Sequence, residues 1–172
     1  LKLDQRMQII VPNLTGSIVE QAGPQVMEHV IGTAAWTWRV PALVKSEQGQ
    51  AFVEAFIAQH QRYPDSTAAS AFAIVQQWAE AVQRAGSLHS EKVIKALEDH
   101  HYSLLKDEQY WRSFDHQNVQ SIYAVRVRSR DEIMQDRFKQ DYFTIIHRMD
   151  GEAAAPSLDD WHEERGDELI LR

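Results

Sequence analysis

The stretch from Tyr63 to Ser87, YPDSTAASAFAIVQQWAEAVQRAGS, limits what this chain can fold into more than any other. Pro64-Asp65-Ser66 carries helix-starting chemistry, because proline punctuates and a short side-chain oxygen accepts an orphan backbone N–H. Ala68, Phe72, Val75, Ala79 and Val82 follow at helical spacing, with Ala71, Ile74 and Trp78 beside them. Gly86 supplies the stop, since it takes a left-handed conformation without steric cost. The apolar face of such a helix is wider than a single stripe and calls for a sheet or flanking neighbours.

The remaining segments supply few obvious partners for it. Met7 to Val11 is a short apolar run closed by Pro12 and reads as a buried strand. A loop through Asn13, Leu14, Thr15 and Gly16 follows, then a short helix from about Ser17 to Gln21. Val26 to Trp38 reads as extended. Ser46 to Gln61 predicts a second helix, with Val53, Phe56, Ile57 and His60 on one face and His60 near the C-terminal dipole. Ser90 to His101 predicts a third. Three successive helices thus enclose few residues able to form strands beneath them. Beyond them, Tyr110 to Phe114 reads as extended and Asp115-His116-Gln117-Asn118 as a polar break. Ser121 to Val127 alternates with period two and buries Tyr123, Val125 and Val127. A short charged helix over Asp131 to Lys139, a strand over Tyr142 to Met149, a turn at Asp150-Gly151 and a terminal helix from Ser157 to about Arg165 complete the reading.

Strand, loop, helix, strand at the start is an α/β alternation, and ligands of such folds sit where loops leave the carboxyl ends of strands. That singles out Asn13 and Thr15 after the first strand and Trp36 and Trp38 after the second. The alternative for these residues is turn, cap and core duty. A net charge of −7 argues against a nucleic-acid partner. No apolar segment approaches the roughly 18–20 residues needed to cross a bilayer. The absence of cysteine excludes disulfides, thiolate metal sites and a cysteine nucleophile. Of the eight histidines, His100-His101 beside Glu98 and Asp99 form the densest cluster. Adjacent helical residues point about 100° apart, so no metal site is expected. Without a phosphate loop, GxGxxG or GxSxG motif, nothing argues for an enzyme or a cofactor. No signal peptide is visible, and a first residue of Leu1 fits a processed product or a fragment.

The segment FVEAFIAQHQRYPDSTAASAFAIVQQWAEAVQRAGSLHSEKVIKALE resembles the C-terminal half of type I periplasmic solute-binding proteins of the branched-chain amino acid ABC transporter class. Phe52, Phe56, Tyr63, Pro64, Ala81, Val82, Ala85, Gly86, Ser87, Val93, Ala96 and Leu97 carry the likeness. RSFDHQNVQSIYAVRV resembles the last hinge crossing of such proteins, and GEAAAPSLDDWHEER is similar to a tail found on some of them. His89 departs from the pattern, which commonly has an aspartate there, and the family's first half is missing.

The resemblance implies an α/β fold, the C-terminal portion of a bilobed three-layer α/β/α architecture. It would assign residues 1–36 to part of lobe II and 37–116 to the helical part of lobe I. Residues 117–150 would be the hinge return with further lobe II strands, and 151–172 a C-terminal tail with a short helix. The strands under the three helices would come from the missing N-terminal portion or, on another reading, the faces would pair with a second copy. The implied function is a periplasmic protein that closes two lobes around a small polar organic solute, an amino acid or similar, and presents it to a membrane permease. Asn13, Thr15 and Trp36 are the implied ligand-binding residues, and Asp115, His116 and Gln117 the implied hinge residues. A self-associating module and a sensory domain remain alternatives, with an enzyme behind both.

Overall fold

The computed structural model describes residues 7–165; the outermost parts of the first and last expected segments, 1–6 and 166–172, lie outside it. Two groups of elements are joined side by side. The first is built on a four-stranded sheet in the order β1-β2-β6-β7, formed by Ile10–Val11, Ile31–Ala34, Ile122–Val127 and Phe143–Met149. β1 runs parallel to β2, whereas β2–β6 and β6–β7 are antiparallel. The helices α1 (Gly16–Ala22), α2 (Pro24–Met27) and α7 (Arg130–Gln135) belong to this group.

The second group contains α3 (Val40–Leu43), α4 (Glu47–His60), α5 (Ser66–Ala85) and α6 (Ser90–Leu97). A small antiparallel sheet, β3 (His101–Tyr102), β4 (Gln109–Trp111) and β5 (Asn118–Val119), follows them. α8 (Gly151–Ala154) and α9 (Leu158–Arg165) end the described chain. The chain passes between the two groups at Ala35-Trp36, again at Gln120-Ser121, and a third time at Asp150, between β7 and α8.

Local chemistry accounts for the element limits. Asp65 sits extended at the start of α5 and accepts the Ser66 N–H, and Gly86 closes the helix at φ 58°. Ser46 caps α4 through the Gly49 N–H. Ser129 and Glu132 cap α7 reciprocally, each side chain bonding the other's backbone N–H. Asp136 stops α7 and takes the Phe138 and Gln140 N–H groups. The alternation in β6 lands as expected, with Tyr123, Val125 and Val127 all at 0% exposure.

Several expectations are corrected. The Val26–Trp38 region is not continuously extended, because Pro24 starts the helical turn of α2 and His29 takes a φ of 64° before β2 begins. β1 is shorter than expected, and Ile10 is 68% exposed, since the strand lies at the sheet edge. The third helix ends at Leu97, where Asp99, at φ 55°, donates its N–H to the Trp111 carbonyl and starts the second sheet. The extended run at Tyr110 stops at Trp111, and α7 ends at Gln135 rather than Lys139.

The apolar faces are unequally covered. Leu14, Val19, Val30, Ala34, Tyr123, Val125, Val127, Ile133 and Phe143 make a closed core on the four-stranded sheet, continuous with Trp36, Val53, Ala69 and Leu105. The inner side of α5 buries Ala69, Gln77 and Ala81, and α6 adds Val93. The opposite side, the wide face read from the sequence, carries Ile74, Val75 and Trp78 at 52–61% exposure, with Phe72 at its margin.

Candidate functional site

The loop after β1 is fixed by β2. Asn13, at φ 53°, donates its N–H to the Thr33 hydroxyl at 3.1 Å, and Leu14 N donates to the Thr33 carbonyl at 2.7 Å. Only glycine fits beneath this loop at position 32, where a Cβ would lie 2.5 Å from both the Leu14 Cβ and the Val11 carbonyl. Thr15 caps α1 by accepting the Ile18 N–H, and its hydroxyl bonds that of Ser17 at 2.9 Å. Asn13 and Thr15 therefore stand together, in the turn and cap roles that were their alternative reading.

The α4–α5 loop of the other group meets the two residues after Thr15, Gly16 and Ser17. The Asp65 carboxylate accepts N–H groups from Gly16 at 3.0 Å, Ser17 at 3.2 Å and Ser66 at 2.8 Å, so one side chain ties the starts of α1 and α5. Arg62 reaches Glu20 at 3.1 Å. Tyr63 stacks on Trp38 with centroids 4.1 Å apart and donates to Asp136 at 2.8 Å. Burial, then the bond to Asp136, pushes the Tyr63 phenol up to about 12. Burial alone would raise the Asp136 carboxyl, but the Tyr63 hydroxyl and backbone N–H donors hold it below its usual range. The cavity between these groups is about 30 Å³, lined by Gly16, Trp38, Arg39, Tyr63, Asp65 and Tyr142 among others. That volume admits little more than water.

Trp36 lies elsewhere. It is buried, donates its indole N–H to the Leu105 carbonyl at 3.2 Å and meets Phe52 edge-on. It lines a separate cavity of about 120 Å³ with Ala73, Ile74, Tyr102, Lys106 and Trp111. The structure thus groups Asn13 with Thr15 and sets Trp36 apart from both.

Asp115, His116 and Gln117 form the β4–β5 turn and are not on any of the three passages between the groups. The Arg112 guanidinium grips Asp115 at 3.0 and 2.5 Å and the Gln117 amide oxygen at 2.9 Å, and it also donates to the Pro156 carbonyl. Burial would raise the Asp115 carboxyl, but the bonds from Arg112 and the Gln117 N–H hold it below its usual range. His116 takes φ 57° and pairs with Glu98 at 3.2 Å.

The groups that grip the passages are ones the sequence reading missed. Lys106 is 3% exposed and donates to the Ala35 carbonyl at 2.8 Å and the Ser121 carbonyl at 2.6 Å. Burial lowers its pKa to about 8, against the pull of Asp107. Asp107 in turn accepts the Ser121 hydroxyl, the Tyr123 hydroxyl at 3.3 Å and Arg148 at 2.6 Å. The only sequence signal was a charged pair directly after Leu104-Leu105. Among the described residues no group of three or more His, Asp or Glu side chains converges as a cation would require.

A family model described as periplasmic binding protein matches residues 1–132. A search of curated proteins finds no match. Among solved structures, a periplasmic binding protein from Burkholderia mallei is 20% identical, with a TM-score of 0.76 over 92% of this chain and 40% of its own. The leucine-, isoleucine-, valine-, threonine- and alanine-binding protein from Brucella ovis, in a closed conformation, is 18% identical, with a TM-score of 0.69 over 90% of this chain and 40% of its own. A solute-binding protein of an ABC transporter from Rhodopseudomonas palustris, in complex with 3,4-dihydroxybenzoic acid, is 16% identical, with a TM-score of 0.64 over 84% and 37%. This chain therefore spans about 40% of the length of such structures. Its mixed α/β fold is part of the type I architecture they share, and the chain belongs to the periplasmic binding protein family.

Proposed function

We propose that this chain is the C-terminal portion of an extracytoplasmic solute-binding component of an ABC transporter, which holds a small polar organic solute between two lobes. The sheet group, with residues 1–36 and 121–150, belongs to one lobe on this reading, and residues 37–120 to the other, so the return boundary implied at 116/117 moves to the far side of β5. The observation that carries it is the meeting of the loop after β1 with the α4–α5 loop, one from each group, across a gap bridged by Asp65. A solute that touched both loops would favour the closed arrangement over the open one by its differential contacts. Asn13 and Thr15 are proposed as solute contacts from the same loop, just ahead of the Gly16 and Ser17 that meet Asp65, and Trp36 is assigned to the region near the passages. No catalytic constellation is assigned, and the partner that receives the solute is a membrane permease. Membership of the periplasmic binding protein family supports a periplasmic setting. No helix among the described residues is long and apolar enough to cross a membrane.

The exposed side of α5 supports an N-terminal portion that lays strands against it. It also favours a second reading, in which two copies of the chain pair those faces. Size-exclusion chromatography separates the two, since a stable homodimer of this chain with no affinity for a companion portion would support the second.

A thermal-shift screen tests the transport reading, using protein from the full reading frame against amino acids, small amides and hydroxybenzoates. A true solute at 100 times its dissociation constant adds about 2.7 kcal/mol to the folded state and raises the midpoint. A flat response across all three classes removes the proposed substrate range.

A further inference from the structure

We infer that Lys106 is a hinge staple, whose buried ammonium bonds the Ala35 and Ser121 carbonyls and so fixes two of the three interlobe passages to each other and sets the angle between the lobes. This rests on the two-lobed reading above and goes beyond it, because the hinge residues implied by the sequence lie in a turn away from the passages.

The geometry carries the inference. Ala35 leaves β2 for the helical group, and Ser121 returns from β5 to β6. A single donor group holds both carbonyls, at 2.8 and 2.6 Å, from a side chain that water hardly reaches. The ammonium lies 5.4 Å from the centre of the Tyr123 ring, whose face further offsets the loss of water. Burying a cation is costly, and a methionine would fill a similar volume without that cost. What methionine lacks is the ability to bond two carbonyls at once. If the passages slide apart, one N–H loses its acceptor in a place where water cannot replace it.

A second set of bonds ties the staple to the sheet. Asp107, next in sequence, receives Ser121, Tyr123 and Arg148, and Arg148 also donates to the Ser121 hydroxyl at 3.2 Å. The charged groups facing Lys106 are thus Asp107, which favours its cationic form, and Arg148, which opposes it. Rotation of the helical group about the passages would have to stretch the Lys106 bonds first. Lys106 acts here as a positioning residue and touches no solute.

The test measures lobe geometry without any solute. This sequence has no cysteine, so spin labels can be placed at Glu54→Cys on α4 and His147→Cys on β7, with any upstream cysteine changed to serine in the full-length protein. Double electron–electron resonance distances are compared in the otherwise native protein and in Lys106→Met. A control pair at Glu54→Cys and Glu91→Cys lies within the helical group. The staple predicts a shifted mean and a broader interlobe distribution in Lys106→Met, with the control unchanged. A broad interlobe distribution that Lys106→Met leaves unaltered overturns the staple and spares the two-lobed reading. Interlobe distributions as narrow as the control in both proteins overturn the two-lobed reading itself. If the methionine variant does not fold, Lys106→Gln, a shorter neutral donor, is read by the same criteria.

Discussion

The four-stranded sheet and the α5 helix treat similar residues in opposite ways. Tyr123, Val125 and Val127 on β6 are sealed completely, with β2 on one side, β7 on the other and α7 contributing Ile133 to the same core. Val75 and Trp78 on α5 are just as apolar, yet each is more than half exposed. Composition therefore does not decide whether an apolar face is satisfied; the supply of neighbouring chain does. Fully burying one such side chain is worth roughly 1.5–3 kcal/mol. The open side of α5 is thus a reserve of stability that the described residues leave unused.

Four measurements would break or sharpen that contrast. Tyr123→Ala strikes the sealed side, and removal of a large buried aromatic should cost about 3–5 kcal/mol in urea unfolding of the 172-residue chain. A loss below about 1 kcal/mol would mean that the sheet core is not the cooperative centre. Trp78→Ala should change the stability of this chain by no more than about 0.5 kcal/mol, as at an ordinary surface position. In the full-length protein the same change should approach the about 3–5 kcal/mol of a core truncation, and equal effects in both settings would remove the idea of an absent cover. Asp65→Ala removes the bond to the start of α5 and both bonds to α1, so a loss of about 1–2 kcal/mol is expected, with little change for Asp65→Asn.

The fourth measurement varies pH. The folded-state pKa of Asp115 is depressed, so its contribution is whole above the ordinary carboxylate range and is lost as pH falls through the folded value. The stability gap between the native chain and Asp115→Asn should therefore close in acid. A gap independent of pH would show that the Arg112 grip has no energetic consequence. This effect is the smallest of the four, because Asp115 tightens one turn rather than a core.

What the sequence made legible was whatever is local. The start and stop of α5, the alternation of β6 and the capped start of the terminal helix at Ser157 each depend on residues within one turn or one strand. The mismatch between three apolar helices and few strands was legible too, and it reappears as the exposed face of α5. The grip on the passages was not, since Lys106 reaches carbonyls 71 and 15 residues away and a lone lysine carries no pattern. Apart from the extended run at Tyr110, the small second sheet escaped for another reason: its strands are two or three residues long and hold together by pairing with one another. Asp65 was read as a helix start, which it is, but its reach to α1 across 49 positions lies outside any local rule.

Strand β2 has a mechanical consequence. Thr33 grips the loop that carries Asn13, while two positions later Ala35 is gripped by Lys106. At roughly 3.3 Å per residue, these two anchor points are the ends of a stiff rod only about 7 Å long. A tug on the Asn13 loop would thus be delivered as torque at the lysine, with almost no slack to absorb it.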